Sequence, residues 1–204
     1  EYEFVGCKMS KKRLTKNIWM LFLVIILAII SLNNVHGENT TIQPDGTEGN
    51  DTYLREQLPN TNFGDVDTLN VGLSASGNRM RPLLQFNLSS ITNGSTITSA
   101  LLKVFVNLSG STNNLSVSVH RATNIWIENE TTWNNRTTTV AWDSAGGDYQ
   151  GPENDTIGIN DTLGWYTFEV RLLVRYWMNG TYANRGFLMR SNEAVNGEYR
   201  SFYS

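Results

Sequence analysis

Ala100-Leu101-Leu102-Lys103-Val104-Phe105-Val106 reads as a β-strand and sets the class of the fold. Ala100, Leu102, Val104 and Val106 fall on one face, with Leu101, Lys103 and Phe105 opposite. Period-two alternation with β-branched and aromatic side chains marks a strand buried on one side. The same rhythm returns in Leu69–Leu73, in Leu115–His120 and in Trp165–Val170, where Tyr166, Phe168 and Val170 oppose Trp165. Phe187 and Met189 oppose Leu188 and Arg190. Clusters of Asn, Gly, Ser and Thr separate these runs. Many short strands between turn signals predict an all-β sandwich or barrel. One segment departs from the rhythm: Arg171–Met178 spaces Leu173 and Trp177 four apart and stops at Asn179-Gly180, which predicts one or two helical turns.

Upstream, Lys11, Lys12, Arg13 and Lys16 precede the apolar run Ile18–Leu32, and Val35-His36-Gly37 follows. A basic flank, a short apolar stretch and a small-residue site predict a secretory signal cleaved before Glu38. An uncleaved signal-anchor is the alternative, and it is the only route to a membrane. The run is shorter than the ~20 residues that span a bilayer comfortably. Either way the remainder is expected to be secreted or held at the cell surface. The division expected is 1–37 for the N-terminal extension and signal, 38–50 for a flexible linker rich in Thr, Asn and Gly, and 51–204 for the β-domain.

The 204 residues carry a net charge of −3, so no basic field for nucleic acid is present. The single cysteine, Cys7, lies ahead of the apolar run. The β-domain therefore has no disulfide, no zinc–thiolate site and no cysteine nucleophile. Asn-x-Ser/Thr sequons recur from Asn39 to Asn179. They fit an exported glycoprotein, although a chain this rich in Asn and Thr also makes them by chance.

Several ordered motifs carry a family resemblance. Asp51-Thr52-Tyr53-Leu54-Arg55-Glu56 resembles the signature of the DNRLRE domain. Asn60–Gly64, Leu69–Gly72, Arg81–Leu88 and Ile97–Leu102 follow in that family's order. Trp126-Ile127-Glu128 with Thr132-Trp133-Asn134-Asn135, then Gly186–Ser191 and Phe202–Ser204, match its later motifs. The family is similar to disaggregatase-related repeats of methanogenic archaea, hence an archaeal-envelope setting, and to family 96 carbohydrate-binding modules. The resemblance implies a jelly-roll β-sandwich that binds glycans, often acidic ones, without catalysis. Two departures stand out. Glu169 replaces the usual Asp, and family members continue past the Phe-Tyr-Ser motif. The latter implies a domain missing its last strand.

The residues suggest where a glycan would sit. Arg81 and Arg190 lie on the non-core faces of their strands, and Arg200 lies on a third. Converging guanidinium groups would bind uronic-acid carboxylates in bidentate fashion. Ordinary salt bridges are the competing reading for each. Trp142, Tyr149 and Trp165, in or beside Gly/Asp-rich loops, could stack on sugar faces or pack a loop. His120 reads as a solvated strand histidine. Glu128 and Glu130 are the one carboxylate pair reminiscent of a glycosidase, but they fall in the Trp-rich box of a non-catalytic family. A structural Ca²⁺ is expected only weakly, with Asp51, Asp143 and Asp148 as candidate ligands; no run matches a calcium loop. The function expected is polysaccharide binding. An adhesive surface-layer domain with a protein partner is the second reading, and a polysaccharide-degrading enzyme the third.

Overall fold

A computed structural model of the chain describes residues 37–43, 47–151 and 154–204. The expected signal segment lies outside the described residues. No described helix is long and apolar enough to cross a membrane.

From Thr40 onward the chain forms one compact unit. Its described residues make nine strands and one helix: β1 (Gly49–Arg55), β2 (Thr68–Leu73), β3 (Arg79–Phe86), β4 (Leu101–Ser109), β5 (Leu115–Arg121), β6 (Asp155–Ile159), β7 (Gly164–Glu169), α1 (Arg171–Met178), β8 (Phe187–Ser191) and β9 (Tyr199–Tyr203). Every ladder is antiparallel. The hydrogen-bonded order runs β6-β5-β8-β3-β2-β9-β4-β7, with β1 on β3. The path folds back on itself at β3. There β2 pairs only through Gly72↔Met80 and Leu73↔Arg79, while β8 takes the same edge further along, at Leu83 and Leu84. The result is a sandwich. One layer is β6-β5-β8-β3-β1 and the other is β2-β9-β4-β7. This is the all-β sandwich expected from the alternation.

The main core fills the space between the layers. Tyr53, Met80, Leu84, Val117, Val119, Phe187 and Met189 come from the first, and Leu69, Val71, Leu102, Val104, Val106, Phe168 and Phe202 from the second. Helix α1 closes one end with Leu173, Val174 and Trp177 buried. It is the helix predicted over these residues, and Trp177 meets Phe187 at 4.8 Å between ring centroids.

A second core lies on the opposite face of the first layer. Leu54, Leu83 and Leu188 are wholly buried there beneath Ala122, Trp126, Trp133 and Trp142. These come from the long excursion between β5 and β6. Trp126 donates its indole N–H to Arg185 O at 2.9 Å, and Trp142 to Thr132 O at 3.0 Å. Buried indoles need such partners. The excursion passes close to the sheet at Gly146 and Gly147, both at positive φ. A Cβ on Gly146 would sit 2.6 Å from the Trp133 ring, so glycine is required for this approach.

Arg200 closes the second layer from inside. It is fully buried, in phase with Phe202. Its guanidinium donates to Asn160 O (2.8 Å), Tyr199 O (2.9 Å), Ile159 O (2.9 Å) and Asn113 O. Beside it, β4 carries an irregularity between Val106 and Leu108 against β9. Orphaned buried carbonyls each cost about 1–3 kcal/mol. Arg200→Leu is therefore expected to destabilise the domain by about 3 kcal/mol or more, measured by urea denaturation. A change within about 0.5 kcal/mol would show that water replaces the guanidinium without loss.

Candidate functional site

The arginines predicted to gather around a glycan are placed as follows. Arg81 and Arg190 do share the outer face of the first layer, on the paired strands β3 and β8. That face is covered, and the two guanidinium groups are already engaged by Glu193. Arg81 Nε lies 2.7 Å from Glu193 Oε1, and Arg190 Nη2 lies 3.0 Å from Glu193 Oε2. Arg81 also donates to Gly146 O at 3.0 Å and lies 5.2 Å from the Trp133 ring centroid. Arg190 donates to the Tyr149 hydroxyl. Glu193 holds φ of 52°, left-handed for a non-glycine residue. Ion pairing at this corner holds the strained residue in place. The neighbouring Arg79–Glu56 pair adds a second clamp, and the Arg79 hydrogen bond holds the Glu56 carboxyl below its usual range. Arg200 does not join Arg81 and Arg190. It sits in the other layer, in the interior, and is spent on backbone carbonyls.

The predicted aromatics divide. Trp142 is buried in the second core, so it packs the loop rather than facing solvent. Tyr149 is half-buried against that core and under Arg190. His120 is buried too, correcting the expectation of a solvated group. It bonds Ser118 Oγ at 2.9 Å and packs on Tyr149 at 4.8 Å. Alternation assigned the correct face, but the excursion covers it. Trp165 alone is open, with 65% of its surface exposed.

Trp165 belongs to a row. On the outer face of the second layer, β4–β7 pairing sets Phe105 opposite Trp165, with ring centroids 5.3 Å apart and edge to face. On the other side of Phe105 lies Tyr203 of β9, stacked at 5.6 Å and 61% exposed. The row therefore crosses three adjacent strands, about 10 Å by strand spacing. Lys103 lies one step along β4 on the same face, opposite Thr167. It is exposed, and no carboxylate among the described residues pairs with it. A groove of about 500 Å³ opens beside the row. Its lining includes Lys103, Phe105, Trp165 and Tyr203 together with Leu84, Phe86 and Phe202. Phe105 and Tyr203 were not singled out from the sequence. The available signal was an aromatic on the non-core face of each strand; the strand pairing that unites them is not written locally.

Asp51 also lines the groove, buried in phase with Tyr53. Burial pushes its carboxyl above the usual carboxylate range. A hydrogen bond from Ser204 Oγ at 2.9 Å works against this, and the charge of Glu128 adds to it. Glu128 is fixed structurally, its Oε1 accepting from Asp51 N at 2.9 Å. Asp148 accepts from Asp143 N, Ser144 N and Asn124 Nδ2, so its lone pairs serve loop donors. Asp143 and Asp148 lie together, both accepting from Asn124 Nδ2, but no three acidic, histidine or cysteine side chains among the described residues gather as metal ligands.

Two outcomes follow from these environments. Glu193→Ala strands two arginines on a covered face and is expected to cost about 3–5 kcal/mol, measured by chemical denaturation. Asp51 has a folded pKa raised above its unfolded one. Its favourable contribution is thus present below the unfolded value and lost as pH rises through the folded value. Asp51→Asn should raise the melting temperature at neutral pH, with the gain vanishing toward about pH 2, where the Asp51 carboxyl is protonated in the folded and the unfolded chain alike. A gain of equal size at every pH would contradict this assignment.

A sheet face carrying an aromatic row beside a cation that no described carboxylate pairs suits a polar ring with an apolar face, which is the character of a sugar. A search of curated proteins finds no match. The model of carbohydrate-binding module family 96 matches residues 45–204, which contain the sandwich, the aromatic row and both cores. The chain belongs to carbohydrate-binding module family 96.

Proposed function

We propose that the domain is a non-catalytic, extracellular module that holds an acidic polysaccharide of the cell envelope or matrix against the outer face of its second layer. The observation that carries this reading is the row Trp165–Phe105–Tyr203 with Lys103 beside it, which no carboxylate among the described residues pairs. Pyranose C–H faces stack on the rings, and the Lys103 ammonium meets a sugar carboxylate. The arginines expected in that role have structural partners instead. A strand-spaced row of three rings matches the scale of a disaccharide.

The non-catalytic reading rests on the environment of the acids. Glu128 is tied to the backbone of β1, and Glu130 accepts from Thr138 N at 2.8 Å. Neither belongs to the aromatic row. The extracellular reading rests on the basic and apolar N-terminal pattern together with a cysteine-free β-domain.

Isothermal calorimetry with an oligouronate and a neutral oligoglucan tests the site. Trp165→Ala is expected to weaken both ligands at least tenfold, about 1.4 kcal/mol. Lys103→Ala should weaken the oligouronate several-fold, leave the neutral sugar unchanged, and flatten the salt dependence of binding. Unaltered affinity in both variants would remove the site from this face.

A further inference from the structure

A second group of open aromatic and cationic side chains lies on the other layer, at the end capped by α1. Arg121 ends β5, and its guanidinium carbon sits 3.9 Å from the centroid of the Tyr182 ring. Tyr182 is 43% exposed and meets Tyr176 edge to face at 5.4 Å. The turn after the helix holds the ring there. Asn179 Oδ1 accepts from both Thr181 N and Thr181 Oγ1, and Tyr182 N donates to Tyr176 O at 3.2 Å. Two more arginines lie on the neighbouring segments of chain. Arg175 is exposed in the last turn of α1. Arg185 precedes Gly186, whose carbonyl accepts from Ala122 N at 2.9 Å, next to Arg121.

None of these three arginines has a carboxylate partner among the described residues. This separates them from Arg79, Arg81 and Arg190, each of which is paired. Among the described residues the only side-chain acceptor on Arg121 is Gln150 Oε1, at a long 3.4 Å. A guanidinium lying on an aromatic ring has one face covered and keeps its N–H edge free of the ring. That edge is the part that binds an oxyanion through two parallel bonds. Stacking also fixes the plane beforehand, so less side-chain freedom is lost when the anion arrives.

We infer that Arg121 and Tyr182 form a second saccharide site, selective for sugars bearing an oxyanion, with Tyr176 extending the stacking surface and Arg175 and Arg185 raising the local positive potential. The inference rests on the glycan-binding reading above and adds a second subsite to it. The bidentate edge of Arg121 takes a uronate carboxylate or a sulfate ester, while Tyr182 and Tyr176 take the ring. Neutral sugars gain only the stacking term here. On the Trp165 face, three rings serve neutral and acidic sugars alike.

The test uses the full chain with three oligosaccharides of equal length: an oligouronate, a sulfated oligoglucan and the plain oligoglucan. Calorimetry reads stoichiometry, and amide and arginine side-chain NMR shifts read location. The expected result is two oligouronate sites per chain and one site for the plain oligoglucan, with Tyr182 and Arg121 signals moving only for the charged ligands. A response to both charged ligands assigns a general oxyanion site, and a response to one assigns the carboxylate or the sulfate; each supports the inference. Arg121→Ala should abolish the second site and leave the Trp165 site intact. Arg121→Lys keeps the charge without the planar fork and should weaken the second site at least fivefold, so a loss through misfolding is distinguished from loss of the fork. Trp165→Ala should do the reverse, sparing the Tyr182 response. The inference is overturned if Tyr182 and Arg121 signals stay still with every charged ligand, or if the plain oligoglucan moves them as far. Movement at Trp165 alone leaves the first site standing without the second, and movement at Tyr182 alone does the opposite.

Discussion

The Arg81–Glu193 ion pair is the contact on which the arrangement of this domain turns. It joins β3 to the segment after β8 while the same guanidinium caps Gly146 O in the long excursion from β5 to β6. Holding Gly146 at the sheet brings Trp133 over Arg81, and the tryptophans behind it then seal Leu54, Leu83 and Leu188. A sandwich of nine short strands thereby acquires apolar burial on three surfaces instead of two. Such a buried pair is of uncertain net worth against an apolar substitute, but losing one partner is costly. Its structural meaning is positional: it decides which face of the sandwich is closed.

Closing that face assigns the others their roles. With the first layer covered on both sides, the open sheet surface is the outer side of the second. Exposed aromatic rings there are not needed for packing, since Val104, Val106, Phe168 and Phe202 already fill the interior below them. The cations divide in the same way. Arg79, Arg81 and Arg190 are neutralised by carboxylates, whereas Lys103 beside the aromatic row and Arg121 at the helical end have no carboxylate partner among the described residues.

Much of the sandwich is readable along the chain, because alternation is a local property of successive residues. The strand at Leu101–Val106, the strand at Leu115–His120 and the short helix at Arg171 all sit where the pattern places them. The candidate site was legible only in part. Alternation puts Arg81, Arg190 and His120 off the main core, which is correct, but it is silent on whether solvent or a loop lies beyond. Arg200 shows another limit: its phase matches Phe202, yet a charged residue on a core face is legible as buried only once four carbonyls are known to meet it. The aromatic row depends on β4, β7 and β9 being neighbours, a long-range pairing that no window of sequence contains.

The carbonyl cage around Arg200 also bears on how the last described strand finds its alignment. In β9, a shift of one residue against β2 and β4 would bring Tyr199 or Ser201 to the interior and turn the guanidinium outward. Neither side chain offers five N–H groups to the waiting carbonyls of Ile159, Asn160 and Asn113. Alternation alone would penalise a one-step slip, but a two-step slip preserves it; the cage penalises both. Because β9 joins partners distant in the chain, its docking depends on contacts that form late and slowly. Arg200 thus acts as a keyed latch, admitting the strand in one alignment and leaving misaligned chains with orphaned carbonyls that favour release and another attempt.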